Sequence, residues 1–588
     1  MNIKETLQQT LAELIQSVYQ IYDLTLEIQE NKTDFEGDFT IVTFPLVKYL
    51  KKSPDQIGME LGGAFTAQSD FIQDFNVVKG FLNLTIKDTF FLKNLKTSGE
   101  NLNTITPKNE TVMVEFSSPN TNKPLHLGHI RNNLLGYSVS QILQEAGYDV
   151  IKTQIINDRG IHICKSMVAW QKFGNGATPQ SMNRKGDKLV GEYYVAFDQH
   201  YKTQISELIA SGMDEETAKK QAPLMKEAQE MLLEWEKGND EVKNLWNEMN
   251  AWVYEGFNET YQRLGVNFDQ VQHESETYLL GKNIIQEGLL KNVFYRKDDG
   301  SVWIDLTEEG LDHKLLLRSD GTSVYMTQDL GTAVQRFAEN DIQKLIYTVG
   351  NEQDYHFQVL FLILKKLGYS WAEHLYHLSY GMVELPAGKM KSREGTVVDA
   401  DDLMQEMYLT AKEKAQELGK LELLSDAEKE TSYETVGLGA LKYFILKVDP
   451  RKKMLFNPAE SIDFNGNTGP FIQYTYARIQ SLLSKAEFSA ENTFPEEYPL
   501  NAFEKELIMQ LSNYREVIEK AAATLSPAQV ANYVYDVVKS YNSFYQNNPI
   551  LNQDNVSVKT MRLNLSHLTG LVIKKSLSLL GIGTVDRM

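Results

Sequence analysis

The chain has 588 residues, which is too long for one hydrophobic core, and at about 150 residues per domain it predicts roughly four units. Its longest apolar run, residues 359–364, is far shorter than the ~20 residues of a membrane-spanning helix, so we expect no membrane partner. The single cysteine, Cys164, excludes intramolecular disulfides and cysteine-based zinc sites, and we expect it in the core.

The formal net charge of −20, taken alone, argues against a nucleic-acid partner. The charge is unevenly distributed, however: residues 501–588 carry nine Lys or Arg against seven Asp or Glu. An acidic chain with such an end can still bind a polyanion locally, so the net charge neither supports nor excludes a nucleic-acid partner.

Residues 1–105 are predicted to form a small α+β domain. The chain opens with apolar residues at helical spacing (Leu7, Leu11, Leu14, Val18), which is typical of an amphipathic helix and not of a secretory signal. We therefore expect a cytoplasmic protein. Residues 37–42 and 77–86 are short β-rich runs interrupted by Gly.

Residues 106–405 are predicted to form a Rossmann-like domain with a doubly wound parallel sheet. A buried-strand run at 112–116, a Ser/Pro/Asn turn and a helix over 128–146 begin it. Further strands are predicted at 150–156, 344–349 and 375–383, with a helix over about 355–367 between the last two. The charged, helix-prone residues 165–275 are predicted to be an insertion outside the sheet.

The remaining residues show almost no strand signal. Residues 406–480 are predicted to be a linker or stem-contact region, and residues 481–588 an all-α helical bundle with helices over 504–525 and 528–545. The predicted fold class is therefore multidomain α/β: an N-terminal α+β domain, a Rossmann-like central domain and a C-terminal bundle.

The tetrapeptide His126-Leu127-Gly128-His129 follows the first strand of the sheet and opens a helix. Two imidazoles at a helix N-terminus, where free N–H groups and partial positive charge are available, could bind the phosphates of ATP, and Gly128 would let the nucleotide approach the backbone. The alternatives are a chance H-x-G-H on a polar turn, or a zinc site, which is disfavoured because no third ligand stands nearby.

A second basic element, Lys389-Met390-Lys391-Ser392-Arg393, lies between Gly388 and Gly395. Such a loop could close over a triphosphate and neutralise its charge. Alone, it would be interpreted as a solvated surface loop. It does not fit a Walker A motif, because Met390 stands where Ser or Thr is required.

Residues 115–129 resemble the HIGH region of the arginyl-tRNA synthetase family, and residues 388–395 resemble a degenerate KMSKS loop of class I synthetases. Four further stretches agree in order: Asn157-Asp158-x-Gly160; residues 317–322 with Tyr325-x-Thr327-x-Asp329-Leu330; Val349-Gly350-x-x-Gln353-x-x-His356-Phe357; and residues 469–474 with Ala477-Arg478. The resemblance implies activation of L-arginine with ATP and its transfer to tRNA(Arg). It also implies Mg2+ bound with ATP, no dedicated metal site, and a monomer.

The resemblance also assigns site residues. It makes His126, His129, Lys123 and Lys389 catalytic, and it places Gly128 and residues Lys389 to Arg393 at ATP. Glu115 and Asp329 would be the carboxylates of the arginine pocket, with Tyr325 and Gln353 as further side-chain contacts and Asn120 at the amino-acid backbone. Carboxylates suit the planar guanidinium fork. Without the resemblance, Asp329 would be interpreted as a helix cap and Tyr325 as a core aromatic.

Two positions depart from the family pattern. Ser392 stands where a loop lysine usually steadies the pyrophosphate, and the resemblance implies that Lys123, just before the HIGH box, replaces it. Arg159 stands where relatives often carry Trp, and no consequence is predicted for it.

For tRNA, the resemblance assigns Phe81 and Asn83, two apart on one strand, to a base of the D-loop; Phe81 could equally be core. Most of the aromatic residues at 533–545 are expected in the core of a bundle that binds the anticodon. The competing functions are a class I synthetase for another amino acid, a tRNA-independent adenylate-forming ligase, and a silent tRNA-binding paralogue.

Overall fold

The computed structural model describes residues 3–31, 36–384, 398–418, 424–463, 465–489, 495 and 497–588. The N-terminal part is an α+β unit with a four-stranded antiparallel sheet of order β1-β2-β4-β3. Its elements are α1 Ile3–Tyr19, β1 Ile28–Glu30, β2 Phe39–Val42, α2 Phe44–Leu50, α3 Pro54–Gln68, β3 Ile72–Val78, β4 Phe81–Ile86 and α4 Asp88–Asn101.

The predicted amphipathic helix is confirmed as α1, which buries Leu7, Leu11 and Leu14. The β-rich run 77–86 contains the end of β3, the turn with Gly80 and β4, which form a hairpin. Lys79 and Gly80 both have positive φ (51° and 81°), which a two-residue hairpin turn requires.

The central part contains a five-stranded sheet of order β12-β11-β5-β6-β7 in which every neighbouring pair is parallel. The predicted doubly wound sheet is therefore confirmed. The strands from here to the end of the described chain are β5 Thr111–Glu115, β6 Asp149–Ile156, β7 Gln270–His273, β8 Tyr295–Arg296, β9 Val302–Ile304, β10 Lys314–Leu317, β11 Lys344–Gly350, β12 Leu375–Tyr380, β13 Val383–Glu384 and β14 Met454–Leu455.

Helices cover both faces of this sheet, so Val112, Met113 and Val114 are all buried, as expected for a central parallel strand. The helices are α5 Leu127–Glu145, α6 Ile161–Phe173, α7 Pro179–Met182, α8 Gly186–Ala210, α9 Glu215–Gln221, α10 Pro223–Lys237, α11 Asp240–Leu264, α12 Glu274–Thr277, α13 Gly281–Leu290, α14 Tyr325–Glu339 and α15 Asp354–Lys366, with 3-10 helices at Thr307–Glu309, Asn351–Gln353 and Ser370–His374. Cys164 is buried in α6, as expected.

Two predictions about this sheet differ from the structure: the extent of the insertion and the length of the strand predicted at 375–383. Residues 165–275 were expected outside it, but Gln270–His273 form its edge strand β7 beside β6. A period-two signal over four residues is too short to find in a charged segment. The small antiparallel sheet β10-β9-β8 was likewise not predicted.

The predicted strand 375–383 is two strands. β12 ends at Tyr380, and β13 pairs with β14 in a separate sheet. The cause is the buried Arg131 of α5, whose guanidinium donates to the carbonyls of Met382, Pro450 and Lys452. These bonds turn the chain away from the central sheet at Gly381.

The C-terminal part is helical: α16 Ala400–Leu418, α17 Asp426–Leu446, α18 Pro458–Ser461, α19 Gly469–Lys485, α20 Ala502–Ser512, α21 Tyr514–Thr524, α22 Pro527–Asn547 and α23 Val556–Leu579. The predicted helix 504–525 is two helices that meet at Asn513. Across the described ranges, no helix is both long and apolar enough to cross a membrane.

Candidate active site

The sheet order places a crevice between β5 and β11. These neighbours are followed by connections that leave in opposite directions along the sheet, and ligands of doubly wound sheets bind at the carboxyl ends of such strands. β5 ends at Glu115 and β11 ends at Gly350. The turn before α5 and the short helix Asn351–Gln353 therefore flank this crevice.

The turn before α5 is built by its two histidines. His126 is the N-cap of α5, and its Nδ1 accepts a hydrogen bond from the backbone N–H of Gly128 at 3.1 Å. The Nδ1 of His129 accepts one from the backbone N–H of His126 at 3.1 Å. Because each Nδ1 is an acceptor, each neutral ring carries its proton on Nε2. Both imidazoles can therefore donate a hydrogen bond from Nε2.

Both histidines are held in the neutral form. Burial, together with the nearby charge of Lys123, lowers the pKa of His126 to about 4. Burial also lowers the pKa of His129 well below its usual value, with His126 and Lys123 as smaller causes. The histidines can therefore offer hydrogen bonds to a phosphate but not positive charge, which Lys123 carries.

Gly128 has a structural reason for being glycine. A Cβ at this position would lie 3.0 Å from Cε1 of His126, because that ring folds back over the backbone. The expectation that Gly128 serves the approach of the nucleotide is not needed to explain it.

The second basic element, residues 389–393 from Lys389 through Met390, Lys391 and Ser392 to Arg393, lies outside the described residues. The chain that leaves it is bound to the histidine turn: Leu127 donates to the carbonyl of Val398 at 3.1 Å, and Ala400 to that of Leu125 at 2.9 Å. The backbone of His126 also forms an isolated antiparallel β-bridge with that of Asp399. Residues 398–400 are thus fixed beside the turn.

A cavity of about 470 Å³ lies at this point, and Lys123, His126, Lys188, Tyr194 and Asp399 are among the residues that line it. Lys188 forms ion pairs with Asp399 at 3.4 Å and with Asp402 at 2.7 Å. Helix α8 of the predicted insertion is thereby tied to the start of α16.

On the other side of the crevice, Glu115 is buried and forms an ion pair with Arg336 of α14. Arg336 is itself fully buried and donates from Nε to Oε1 of Gln272 at 2.8 Å. The sequence interpretation did not include Arg336. The available signal was its position seven residues after Asp329, on the same face of a helix.

Tyr325 and Asp329 lie one turn apart at the start of α14. Tyr325 is 75% exposed, which rules out the core interpretation. Asp329 is the fifth residue of the helix and so is not its cap. Its carboxylate accepts a hydrogen bond from Nε2 of His356 at 2.6 Å.

Two other predicted contacts lie in exposed connections. The backbone of Asn120 forms an isolated parallel β-bridge with that of Asn157, next to the carboxyl ends of β5 and β6. Gln353 ends the short helix after β11. Both therefore border the crevice.

Glu274, directly after β7, is an acidic group that no motif of the sequence indicated. Burial raises its pKa to about 7, and the charges of Asp158 and Asp329 add to the rise while Arg159 opposes it. Glu274 and Tyr325 line a cavity of about 480 Å³ together with Arg159, Tyr278, Arg318 and Gln328. The lining of this cavity carries both signs of charge, with Glu236 and Glu274 on one side of the balance and Arg159, Lys282 and Arg318 on the other.

Arg159 anchors the insertion at the edge of this pocket. It forms an ion pair with Glu236 of α10, and its guanidinium lies 3.9 Å from the ring centre of Tyr278. The neighbouring Asp158 is buried and accepts hydrogen bonds from Ser275 and Tyr254. These contacts hold α10, α11 and α12 at the carboxyl end of β6.

Family models match nearly the whole chain. The model described as "tRNA synthetases class I (R), catalytic domain" matches residues 92–457, "DALR anticodon binding domain" matches residues 472–588, and "Arginyl tRNA synthetase N terminal domain" matches residues 1–86. The chain belongs to the arginyl-tRNA synthetase family.

Curated relatives in this family extend over the full length. The arginine–tRNA ligase of Flavobacterium psychrophilum is 57% identical and the match covers 97% of this chain and 98% of that protein. The arginine–tRNA ligase of Bacteroides thetaiotaomicron is 54% identical over 100% of both. The solved arginyl-tRNA synthetase of Thermus thermophilus covers 100% of both chains with a TM-score of 0.80 at 23% identity, and so shares the fold.

The two residues that the family resemblance assigns to tRNA have different environments. Phe81 is 38% exposed and packs edge-on against Phe44. Asn83 is buried, accepts a hydrogen bond from Thr40 and donates one to Asn76 at 2.8 Å. Phe81 is thus open to a base, whereas the amide of Asn83 already has partners on both sides.

Most of the aromatic residues at 533–545 lie in the core of the C-terminal bundle, as predicted. Tyr533, Tyr541 and Phe544 are buried, while Tyr545 is 36% exposed. Tyr545 lines a cavity of about 290 Å³ with Arg478 and Met588.

Proposed function

We propose that the chain joins L-arginine to the 3′ end of tRNA(Arg), using ATP and releasing AMP and pyrophosphate. The observation that carries this proposal is the arrangement of polar groups around the crevice between β5 and β11. The turn before α5 offers neutral imidazole donors and Lys123, β5 ends at the carboxylate of Glu115, and α14 carries that of Asp329.

The first step is attack by the carboxylate of arginine on the α-phosphorus of Mg2+-bound ATP. A new oxygen–phosphorus bond forms while the bond from the α-phosphorus to the bridging oxygen breaks, and pyrophosphate leaves with the electron pair. Nε2–H groups of His126 and His129 would bind the phosphate oxygens in this step, and Lys123 would neutralise charge on the leaving group. Lys389 and the loop around it would add further positive charge.

The second step transfers the arginyl group. The terminal ribose hydroxyl of tRNA attacks the carbonyl carbon of the adenylate, loses its proton, and AMP leaves. No covalent bond to the enzyme is needed, so positioning and charge neutralisation supply the catalysis.

Arginine selection rests on charge and shape. Asp329, positioned by His356, and Tyr325 lie where a planar guanidinium could meet an anionic oxygen and a phenol oxygen. Glu115, Gln353 and Asn120 would complete the contacts with the amino acid. Because a polar pocket rejects a ligand that leaves its groups unpaired, no editing site is required.

We further propose that the protein acts as a cytoplasmic monomer, that Phe81 and the N-terminal unit contact the outer corner of the tRNA, and that α19–α23 contact the anticodon. The anticodon contact is supported by the match of residues 472–588 to a model described as an anticodon-binding domain.

The decisive experiment is aminoacylation of total tRNA with each of the twenty amino acids in turn, with ATP–pyrophosphate exchange measured with and without tRNA. Charging with arginine alone is the expected result. Charging with another amino acid would identify a different class I synthetase, and exchange without any tRNA charging would identify an adenylate-forming ligase. Binding of tRNA without either activity would identify a silent paralogue.

A further inference from the structure

Helix α14 presents a third side chain toward the amino-acid pocket. Arg336 lies seven residues after Asp329, which is about two helical turns, so it shares the face of Tyr325 and Asp329. Only 1% of its side chain is exposed. A buried arginine on the helix face that carries two of the proposed arginine contacts needs a reason.

The guanidinium of Arg336 has two partners. Its Nη1 donates to Oε2 of Glu115, and its Nε donates to Oε1 of Gln272. Its Nη2 is buried without an acceptor in the part of the chain that the structure describes. These bonds join α14 to the ends of β5 and β7, which fixes the guanidinium.

The charge environment favours the charged form of Arg336. Burial alone would lower the pKa of Arg336, but the charge of Glu115 more than compensates, with Tyr347 and Asp329 contributing, and raises it. Tyr347 lies opposite Glu115 in the register of β11 and β5. Glu115 therefore lies between the guanidinium of Arg336 and the phenol of Tyr347 on the neighbouring strand.

The contacts of Glu115 are asymmetric. Oε2 is occupied by Arg336, while no described residue donates to Oε1. The contact with Arg336 engages Oε2 alone, so Oε1 is the oxygen that has no described partner and can accept a hydrogen bond from a cationic ligand.

We propose that Arg336 is a positioning residue of the amino-acid pocket, which fixes the Glu115 carboxylate so that Oε1 is presented to the substrate. Arg336 thus sets the affinity for arginine without touching it, and it has no role at ATP. This inference rests on the proposed function, because it takes arginine as the occupant of the pocket.

The test compares Arg336→Met, Arg336→Lys and a matched control, Arg562→Met. Arg562 forms an equally buried pair with Glu504, 2.9 Å apart, within the C-terminal bundle. ATP–pyrophosphate exchange is measured with tRNA saturating, while arginine and ATP are varied separately, and thermal unfolding is followed for each variant.

For Arg336→Met we expect the KM for arginine to rise about 30-fold, with the KM for ATP within about twofold of wild type. Arg336→Lys keeps the charge but not the fork, so it should recover part of the loss. In a Glu115→Gln background, Arg336→Met should change the KM for arginine less than about threefold further, because the residue acts through Glu115.

Arg562→Met is expected to lower the melting temperature without changing the KM for arginine. An unchanged KM for arginine in Arg336→Met, or equal rises in both KM values, would overturn the proposal. If Arg336→Met does not fold, the same criteria apply to Arg336→Lys. Failure of the proposed function is distinguishable, because the wild-type protein itself would then not charge arginine.

Discussion

The rings of His126 and His129 lie with their centres 3.9 Å apart at the start of α5, and each ring accepts a backbone N–H through Nδ1. Each histidine therefore uses its two ring nitrogens differently. Nδ1 caps the helix, and Nε2 is left for a ligand. The effect of Nδ1 on stability and the effect of Nε2 on catalysis can therefore be measured separately.

Replacing His126 by Asn should preserve the cap and remove the ligand contact. Asn is among the best N-cap residues, so we expect a stability change below about 0.5 kcal/mol, whereas His126→Ala should cost about 1 kcal/mol. Loss of the Nε2–H donor should lower the rate of adenylate formation about 100-fold in both variants. Thermal unfolding and single-turnover activation measure the two effects, and normal activation by His126→Asn would contradict the assignment.

The same residue predicts a dependence of stability on pH. The folded pKa of His126 is about 4, against an ordinary value of 6.5, so the unfolded chain binds more protons between these values. Stability is thus fully present above pH 6.5 and is lost as the pH falls towards 4. The stability difference between wild type and His126→Asn should shift in favour of the variant by up to about 3 kcal/mol between pH 7 and pH 4. Urea unfolding at several pH values measures this difference, in which titrating groups other than the neighbouring His129 cancel.

Lys123→Ala should lower adenylate formation far more than Lys391→Ala, because Lys123 is expected to stand in for the loop lysine that Ser392 replaces. Removal of its charge should also raise the pKa of both histidines, since Lys123 helps to depress them. Single-turnover assays over a range of pH measure both effects. Equal, small losses in the two variants would exclude a role for Lys123 at the phosphates.

Asp329→Asn should raise the KM for arginine about 30-fold or more, because a charge-assisted contact with the guanidinium is lost, while the KM for ATP is unchanged. His356→Gln, which can still donate to Asp329, should have a smaller effect than His356→Ala. The measurement is tRNA-saturated ATP–pyrophosphate exchange. A change in the KM for ATP alone would place Asp329 elsewhere in the site.

On the N-terminal unit, Phe81→Ala and Asn83→Ala should have different effects. Phe81 is partly exposed, so its loss should raise the KM for tRNA about tenfold through lost stacking while leaving the fold intact. Asn83→Ala leaves Thr40 and Asn76 without a buried partner and should cost about 1–3 kcal/mol of stability. Aminoacylation kinetics and thermal unfolding measure the two. A normal KM for tRNA in Phe81→Ala would remove it from the tRNA surface.

The local pattern of the chain was sufficient for the central elements. The continuous apolar run at 112–116 and the helical period after His126 depend only on neighbouring residues, and both elements lie where they were predicted. Short elements without a strong period were not found: β7 has four residues, and the break between β12 and β13 depends on Arg131, more than 200 residues away along the chain.

By itself, the sequence determined the fold class, the family and the set of polar residues at the carboxyl ends of the strands. Only the tertiary structure decided what each of them contacts. Glu115 and Arg336 are 221 residues apart in the chain, and Asn83 is buried by strands on either side of it. A hydrogen bond depends on the position and direction of both partners in space, and spacing along the chain carries that information only within a helix, a strand or a turn.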